Sequence, residues 1–389
     1  MFSDRTNWRL AQNRYTQAVE EVRASGRRLL DLSASNPTRV GLEFNSHAIL
    51  QSLASAQALD YDPQAKGLRS AREEVASYYR VAHGIHPLDP ERIVLTSSTS
   101  EGYSYIFRLL CNTGDELLVP KPSYPLFDFL ADLQDVKLIP YPLIYDHGWQ
   151  TDFHSLQKAI TARTRGVVVV HPNNPTGSYV HESEFEPLNK FCAQHGLALI
   201  VDEVFLDYAL DNSRHASFAG NRDVLTFTLS GLSKISALPQ MKVAWLLTSG
   251  PESQVSAAME RLEVIADTYL SMNAPVQCAI PVLLDQRHAI QRQLLKRVQS
   301  NLAALDRQLE SAKACQRLSL EGGWYAVLRV PVTRSDEELA IELVREKSVL
   351  VHPGHFYDFP GDGYLVLSLI TVPDDFNAGI ERLLEFMGR

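Results

Sequence analysis

A series of short apolar runs, at 93–96, 116–119, 136–141, 166–170, 198–201, 224–229 and 243–247, constrains this chain most. Helical stretches at 103–111, 124–133, 151–160 and 182–195 fall between them. The runs are mainly apolar rather than alternating, as in strands buried on both faces. Apolar strands separated by helices specify an α/β fold, a mostly parallel sheet covered by helices on both sides. In such sheets a ligand sits outside the carboxyl ends of the strands, so chemistry is expected in the segments just after them.

The flanking regions differ. Residues 8–28 have helical periodicity, with Leu10, Tyr15, Val19 and Val22 as expected inward positions; 29–32 turns extended, and Ser35-Asn36-Pro37-Thr38-Arg39 breaks the pattern. Residues 47–59 and 67–81 read as further helices. A long helical region, 251–267 and then 279–312, follows the sheet. Strands are expected at 318–320, 324–330, 349–351 and 364–369, with helices at 335–347 and 374–387, an α+β unit. A length of 389 residues favours two domains.

Composition narrows the class. Hydrophobic residues at 45% and charged residues at 21% are those of a globular protein. No stretch has the roughly 18 consecutive apolar residues of a membrane span, and the polar N-terminus lacks a signal-peptide core. The four cysteines, Cys111, Cys192, Cys278 and Cys315, form no CxxC pair, so the cytoplasm is the expected compartment. A net charge of −9 argues against a nucleic-acid surface.

Several strand ends carry reactive or ligand-binding residue types. Lys234 follows the 224–229 run and the turn Ser230-Gly231-Leu232-Ser233. A lysine delivered there is either a solvated loop residue or an amine that forms an imine with a carbonyl cofactor. Thr96-Ser97-Ser98-Thr99-Ser100-Glu101-Gly102 opens a helix with hydroxyls and free N–H groups, either an anion site or an ordinary N-cap. His171-Pro172-Asn173-Asn174-Pro175-Thr176-Gly177 is a stiff turn presenting Asn174. Asp202, ending an apolar strand, is an N-cap or a buried carboxylate needing a cationic partner. Tyr124, in Pro122-Ser123-Tyr124-Pro125, is a core residue or a ring laid over a flat ligand.

Taken in order, these segments resemble the class I/II aminotransferases of the aspartate-aminotransferase superfamily, the fold-type I pyridoxal-phosphate enzymes. Tyr61-x-Pro63 with Gly67, Gly322-Gly323-Trp324-Tyr325 and Val351-His352-Pro353-Gly354 extend the resemblance over nearly the whole chain. It implies a large cofactor-binding domain at 46–284 and a small α+β domain from both termini, 1–45 with 285–389. It also implies that Lys234 holds pyridoxal 5'-phosphate as a Schiff base and shuttles the substrate proton. Asp202 would bond the pyridine nitrogen, Asn174 the ring O3′, and Tyr124 would stack on the ring. Ser98, Thr99 and Ser100 would hold the phosphate, helped by Ser230 or Ser233. Tyr61 would reach the phosphate of a neighbouring subunit, making a homodimer with shared sites.

Three positions depart from that pattern. Lys242 stands where the family has a phosphate-binding arginine, keeping the charge without the bidentate fork. Phe205 replaces a tyrosine and cannot donate to O3′. Val366, in Tyr364-Leu365-Val366-Leu367-Ser368, stands where an arginine grips the substrate α-carboxylate. Leu365 and Leu367 are not basic either, and Arg382 is expected on the surface. Arg39, in the N-terminal loop with Asn36, is the expected replacement. The resemblance implies an aminotransferase moving an amino group from an amino acid to a 2-oxo acid with ping-pong kinetics. A β-lyase on the same scaffold is the alternative. A cofactor-binding regulatory domain fits poorly, since the chain enters the fold by about Trp8 and is acidic.

Overall fold

The computed structural model describes residues 1–388 except 9, 126 and 212–214. In chain order the strands are β1 (Leu30–Asp31), β2 (Ile93–Thr96), β3 (Glu116–Lys121), β4 (Lys137–Tyr145), β5 (Trp149–Thr151), β6 (Thr164–Val170) and β7 (Ala198–Asp202). They continue with β8 (Thr226–Gly231), β9 (Ala244–Ser249), β10 (Gln316–Arg317), β11 (Tyr325–Arg329), β12 (Val349–Leu350), β13 (His352–Pro353) and β14 (Tyr364–Ser368).

The main sheet has eight strands in the order β2-β9-β8-β7-β6-β3-β4-β5. Pairing is parallel from β8 through β7, β6 and β3 to β4, and antiparallel at β2–β9, β8–β9 and β4–β5. The expected mostly parallel sheet is thus present, with two antiparallel strands, β9 inserted near one edge and β5 at the other. Its central residues, Val167, Val168, Leu199, Ile200, Phe227 and Leu246, are fully buried, because helices cover both faces. The crossover between β6 and β7 includes Glu182–His195, which starts with a capping box between His181 and Glu184 and stops at Gly196 in the left-handed conformation.

Residues from both ends of the chain share a second core. Tyr15, Val19, Val22 and Leu32 pack with Val298, Leu305, Val327, Leu343, Val366 and Phe376. Here β10-β11-β14-β13 form a four-stranded sheet, and β1 pairs parallel with β12. The segment after β1 is pinned to β14: Ser368 donates its N–H to the Leu32 carbonyl and its hydroxyl to the Ala34 carbonyl. That tie brings the Ser35 turn beside the carboxyl ends of the main sheet.

Several expected boundaries moved. The first α-helix begins at Arg14, where Asn13 caps the Thr16 N–H at 2.7 Å, so Leu10 lies outside it and is 86% exposed rather than inward. The 47–59 stretch breaks into Ser46–Ser52 and a 3-10 turn at Ala56–Leu59. The 318–320 strand is absent, and the ladder there runs through Gln316 and Arg317 instead. The 279–312 stretch is two helices, Ala274–Asp285 and Arg287–Leu309. Arg9 and Leu126, inside the predicted 8–28 and 124–133 helices, lie outside the described residues.

Candidate active site

The carboxyl ends of β2, β3, β6, β7 and β8 open into one cavity of about 420 Å³. Ser98, Thr99 and Ser100 line it from the start of the helix Thr99–Leu110, and Ser98 Oγ accepts the Glu101 N–H at 3.2 Å. Gly102 lets this helix approach the sheet, since a Cβ there would meet Leu229 Cδ2 at 2.5 Å. The helix N-terminus, with its unpaired N–H groups and positive dipole end, faces the same space as the three hydroxyls. Ser233 and Lys234 enter from the turn after β8, Asp202 from the end of β7, Asn174 from beyond β6, and Tyr124 from beyond β3.

Two opposite charges, each partly buried, dominate the floor. Asp202 is the last residue of β7, in register with Val170 and Leu229. Its Oδ1 accepts the Val204 N–H at 3.1 Å and its Oδ2 accepts the Tyr103 hydroxyl at 3.2 Å. Burial raises its pKa to about 6, against the pull of those bonds and of Lys234. Burial also lowers the Lys234 amine to about 8, while the Asp202 charge works the other way. Lys234 Nζ lies 5.1 Å from the centre of the Trp324 ring and 5.4 Å from that of Phe205, within cation–π range. The Tyr208 hydroxyl bonds the Lys234 carbonyl at 2.6 Å and fixes the backbone below it.

Eight buried side-chain polar atoms lack a partner among the described residues, and Asn174 is the one of those residues that lines the cavity. Its side-chain amide makes no hydrogen bond among the described residues, and its Oδ1 is fully buried. Buried polar atoms are normally satisfied, so an orphan facing a cavity marks a place for a ligand atom.

The profile of the family described as aminotransferase class I and II matches residues 27–371. The chain belongs to that family. An alanine aminotransferase of Mycobacterium tuberculosis is 29% identical over 381 residues, covering 95% of this chain and 88% of the relative. The glutamate-pyruvate aminotransferase AlaA of Escherichia coli K12 is 25% identical, covering 95% and 93%. The solved structure of an alanine aminotransferase from Pyrococcus furiosus superposes with a TM-score of 0.91 over 100% of both chains at 22% identity, a likeness of fold. The protein is accordingly a class I/II aminotransferase of fold type I.

Not every residue singled out in the sequence reaches the aminotransferase cavity. Phe205 lines it; Ser230 is buried beside it, its hydroxyl donating to the Glu203 carbonyl at 3.4 Å. Lys242 is exposed, in the left-handed region at φ 54°, and does not line the cavity. Asn36 uses its Oδ1 to accept the Thr38 N–H and hydroxyl, and both it and Arg39 are exposed outside the cavity wall, where Ser35 stands instead. Tyr61 is 85% exposed and borders a different hollow, with Tyr105 and Ser271. Val366 is buried at 1% exposure, and Arg382 is exposed, donating to the Lys347 carbonyl.

Other lining residues carried no role in the sequence. Tyr325, His352, Phe356 and Tyr357 form the wall contributed by the C-terminal sheet and its loop. The Trp324-Tyr325 and Val351-His352-Pro353-Gly354 motifs contained two of them. Tyr103, the partner of Asp202, is a buried helix aromatic of the kind that reads as core.

Proposed function

We propose that this chain is a pyridoxal-phosphate-dependent aminotransferase exchanging an amino group between an amino acid and a 2-oxo acid. The observation that carries the reading is the convergence of Lys234, Asp202 and the unpartnered Asn174 amide in one cavity, beside a helix N-terminus lined with hydroxyls. The donor set fits pyridoxal phosphate. Ser98, Thr99, Ser100 and Ser233, with the N–H groups of the helix, suit its phosphate. Asp202 suits the cationic ring nitrogen, Asn174 the ring oxygen, Tyr124 the ring face, and Lys234 the carbonyl carbon. When bound, the cofactor supplies an electron sink for the pair left by a broken α-carbon–hydrogen bond.

The rest belongs to the chain's own groups. Lys234 Nζ, with its pKa near 8, is in part a free amine at neutral pH, so it serves as nucleophile and then as the base for the α-proton. Asp202 stays anionic above about pH 6 and supplies the fixed negative charge. Phe205 and Trp324 keep water from the lysine and give it no competing acceptor. The unprotonated amine is the reactive form, so recombination of cofactor-free protein with pyridoxal phosphate is expected to speed up as pH rises and level off above about 8. Stopped-flow absorbance checks this; a rate flat from pH 6 to 9 contradicts the assignment.

The amino donor and acceptor are taken from the names of the relatives, glutamate with pyruvate, or alanine with a 2-oxo acid other than pyruvate. Mixing the yellow holoenzyme with an amino acid should convert its absorbance to that of the pyridoxamine form, and adding a 2-oxo acid should restore it. Release of pyruvate and ammonia instead would mean lyase chemistry.

We take residues 1–45 with 285–389 as a small domain and 46–284 as the large one, supported by the core shared between the chain ends. The cytoplasm is the proposed location, on the four free cysteines; no helix among the described residues is long and apolar enough to cross a membrane. The exposure of Tyr61, Leu59 and Val264 supports a homodimer in which Tyr61 reaches the partner's phosphate site. Sedimentation should give a dimer, and a fully active monomer would remove this claim.

A further inference from the structure

The position expected to grip the substrate's carboxylate is apolar, yet the cavity wall beside it is not. In the β13–β14 ladder His352 is directly opposite Val366, whose partner on the other side is Val327. Residues directly opposite in an antiparallel pair project to the same face. Of this row of three, His352 alone is polar, and it lines the cavity while Val366 is buried beneath. Its Nδ1 lies 3.0 Å from the Tyr357 hydroxyl, and among the described residues its Nε2 has no partner. Tyr357 is itself anchored, its carbonyl accepting the Ser123 N–H at 2.9 Å. Among the described residues that line the cavity, Lys234 is the one with a formal positive charge.

We propose that His352, held by Tyr357, reads the α-carboxylate of the amino donor through Nε2, in place of an arginine at the neighbouring position 366. The inference rests on the aminotransferase reading above. In the tautomer proposed, the Tyr357 hydroxyl donates to Nδ1, and Nε2 carries the hydrogen and is a donor. Burial lowers the imidazole's pKa and the Asp31 charge opposes this, so the donor is a neutral imidazole rather than a cation. A neutral donor to a carboxylate is weaker than a bidentate guanidinium pair. Ser35 lines the same cavity and brings a second hydroxyl donor to it. The resulting site discriminates modestly between an amino acid and the same amine without its carboxylate.

The test uses 2-methylalanine, which lacks the proton to be removed, and tert-butylamine, in which a methyl group stands in place of the carboxylate and that proton is likewise absent. Dissociation constants are read on the holoenzyme from the cofactor's absorption, without turnover. His352→Ala should weaken 2-methylalanine about tenfold or more, the loss of one hydrogen bond to a charged group, and change tert-butylamine less than about twofold. His352→Gln, which restores an N–H donor, should recover part of the loss. Should His352→Ala fail to hold cofactor, Tyr357→Phe gives the same readout, since it frees the tautomer. Equal weakening of both ligands, or an effect from Arg39→Ala with none from His352→Ala, overturns the proposal. A wild-type enzyme that responds to no amino donor at all overturns the aminotransferase reading instead.

Discussion

Replacing Lys234 with alanine is expected to lower turnover by roughly four orders of magnitude, the upper range for losing a positioned acid–base group. The amine is brought to its place by β8 and the turn that follows, and its carbonyl is clamped by Tyr208 at 2.6 Å. Alanine keeps the backbone conformation and leaves the Trp324 and Phe205 faces in contact with the gap. The fold should survive, because the side chain contributes one buried charge with imperfect compensation rather than core packing. Borohydride reduction of the wild type should fix the cofactor's mass on the peptide containing Lys234. Mass on another lysine, or a variant within tenfold of wild-type turnover, would sink the assignment.

The parts of the fold that were legible in the sequence are those in which a single physical term dominates. Strands buried on both faces are nearly uniform in hydrophobicity, so β6, β7 and β8 stood out, and their ends predicted where chemistry would gather. The local caps were less legible. Asn13 sets the start of the first helix by one hydrogen bond, which periodicity cannot see, and Leu10 was misplaced as a result. The polar turn residues at the strand ends were visible because Ser, Asn, Asp and Lys interrupt apolar runs. The wall from the C-terminal sheet was not: Tyr325, Phe356 and Tyr357 look like core aromatics, and their side of the cavity is set by pairing between β11, β13 and β14. Arg39 shows the converse. Its charge and neighbouring motif made it attractive, but the 3-10 turn Pro37–Arg39, capped by Asn36, leaves its side chain exposed.

Asp202→Asn should separate charge from shape. The two side chains have nearly the same volume, and an amide can still accept the Val204 N–H at Oδ1, while the Tyr103 hydroxyl can turn to accept from Nδ2. Thermal stability and cofactor content are therefore expected to stay close to wild type. The negative charge, however, is gone, and no other carboxylate lines the cavity among the described residues. Removing one preorganised electrostatic partner from a dry site costs roughly two to three orders of magnitude in rate, and that is the expected loss. A second readout follows from the same coupling. The Asp202 charge raises the Lys234 pKa, so its removal lowers that pKa below about 8. The pH at which recombination with pyridoxal phosphate levels off should then move down, whereas a mere packing defect would leave it in place. A variant with near-normal turnover, or slow turnover with an unmoved midpoint, would show that Asp202 does not supply the fixed charge that both Lys234 and a cationic ring nitrogen feel.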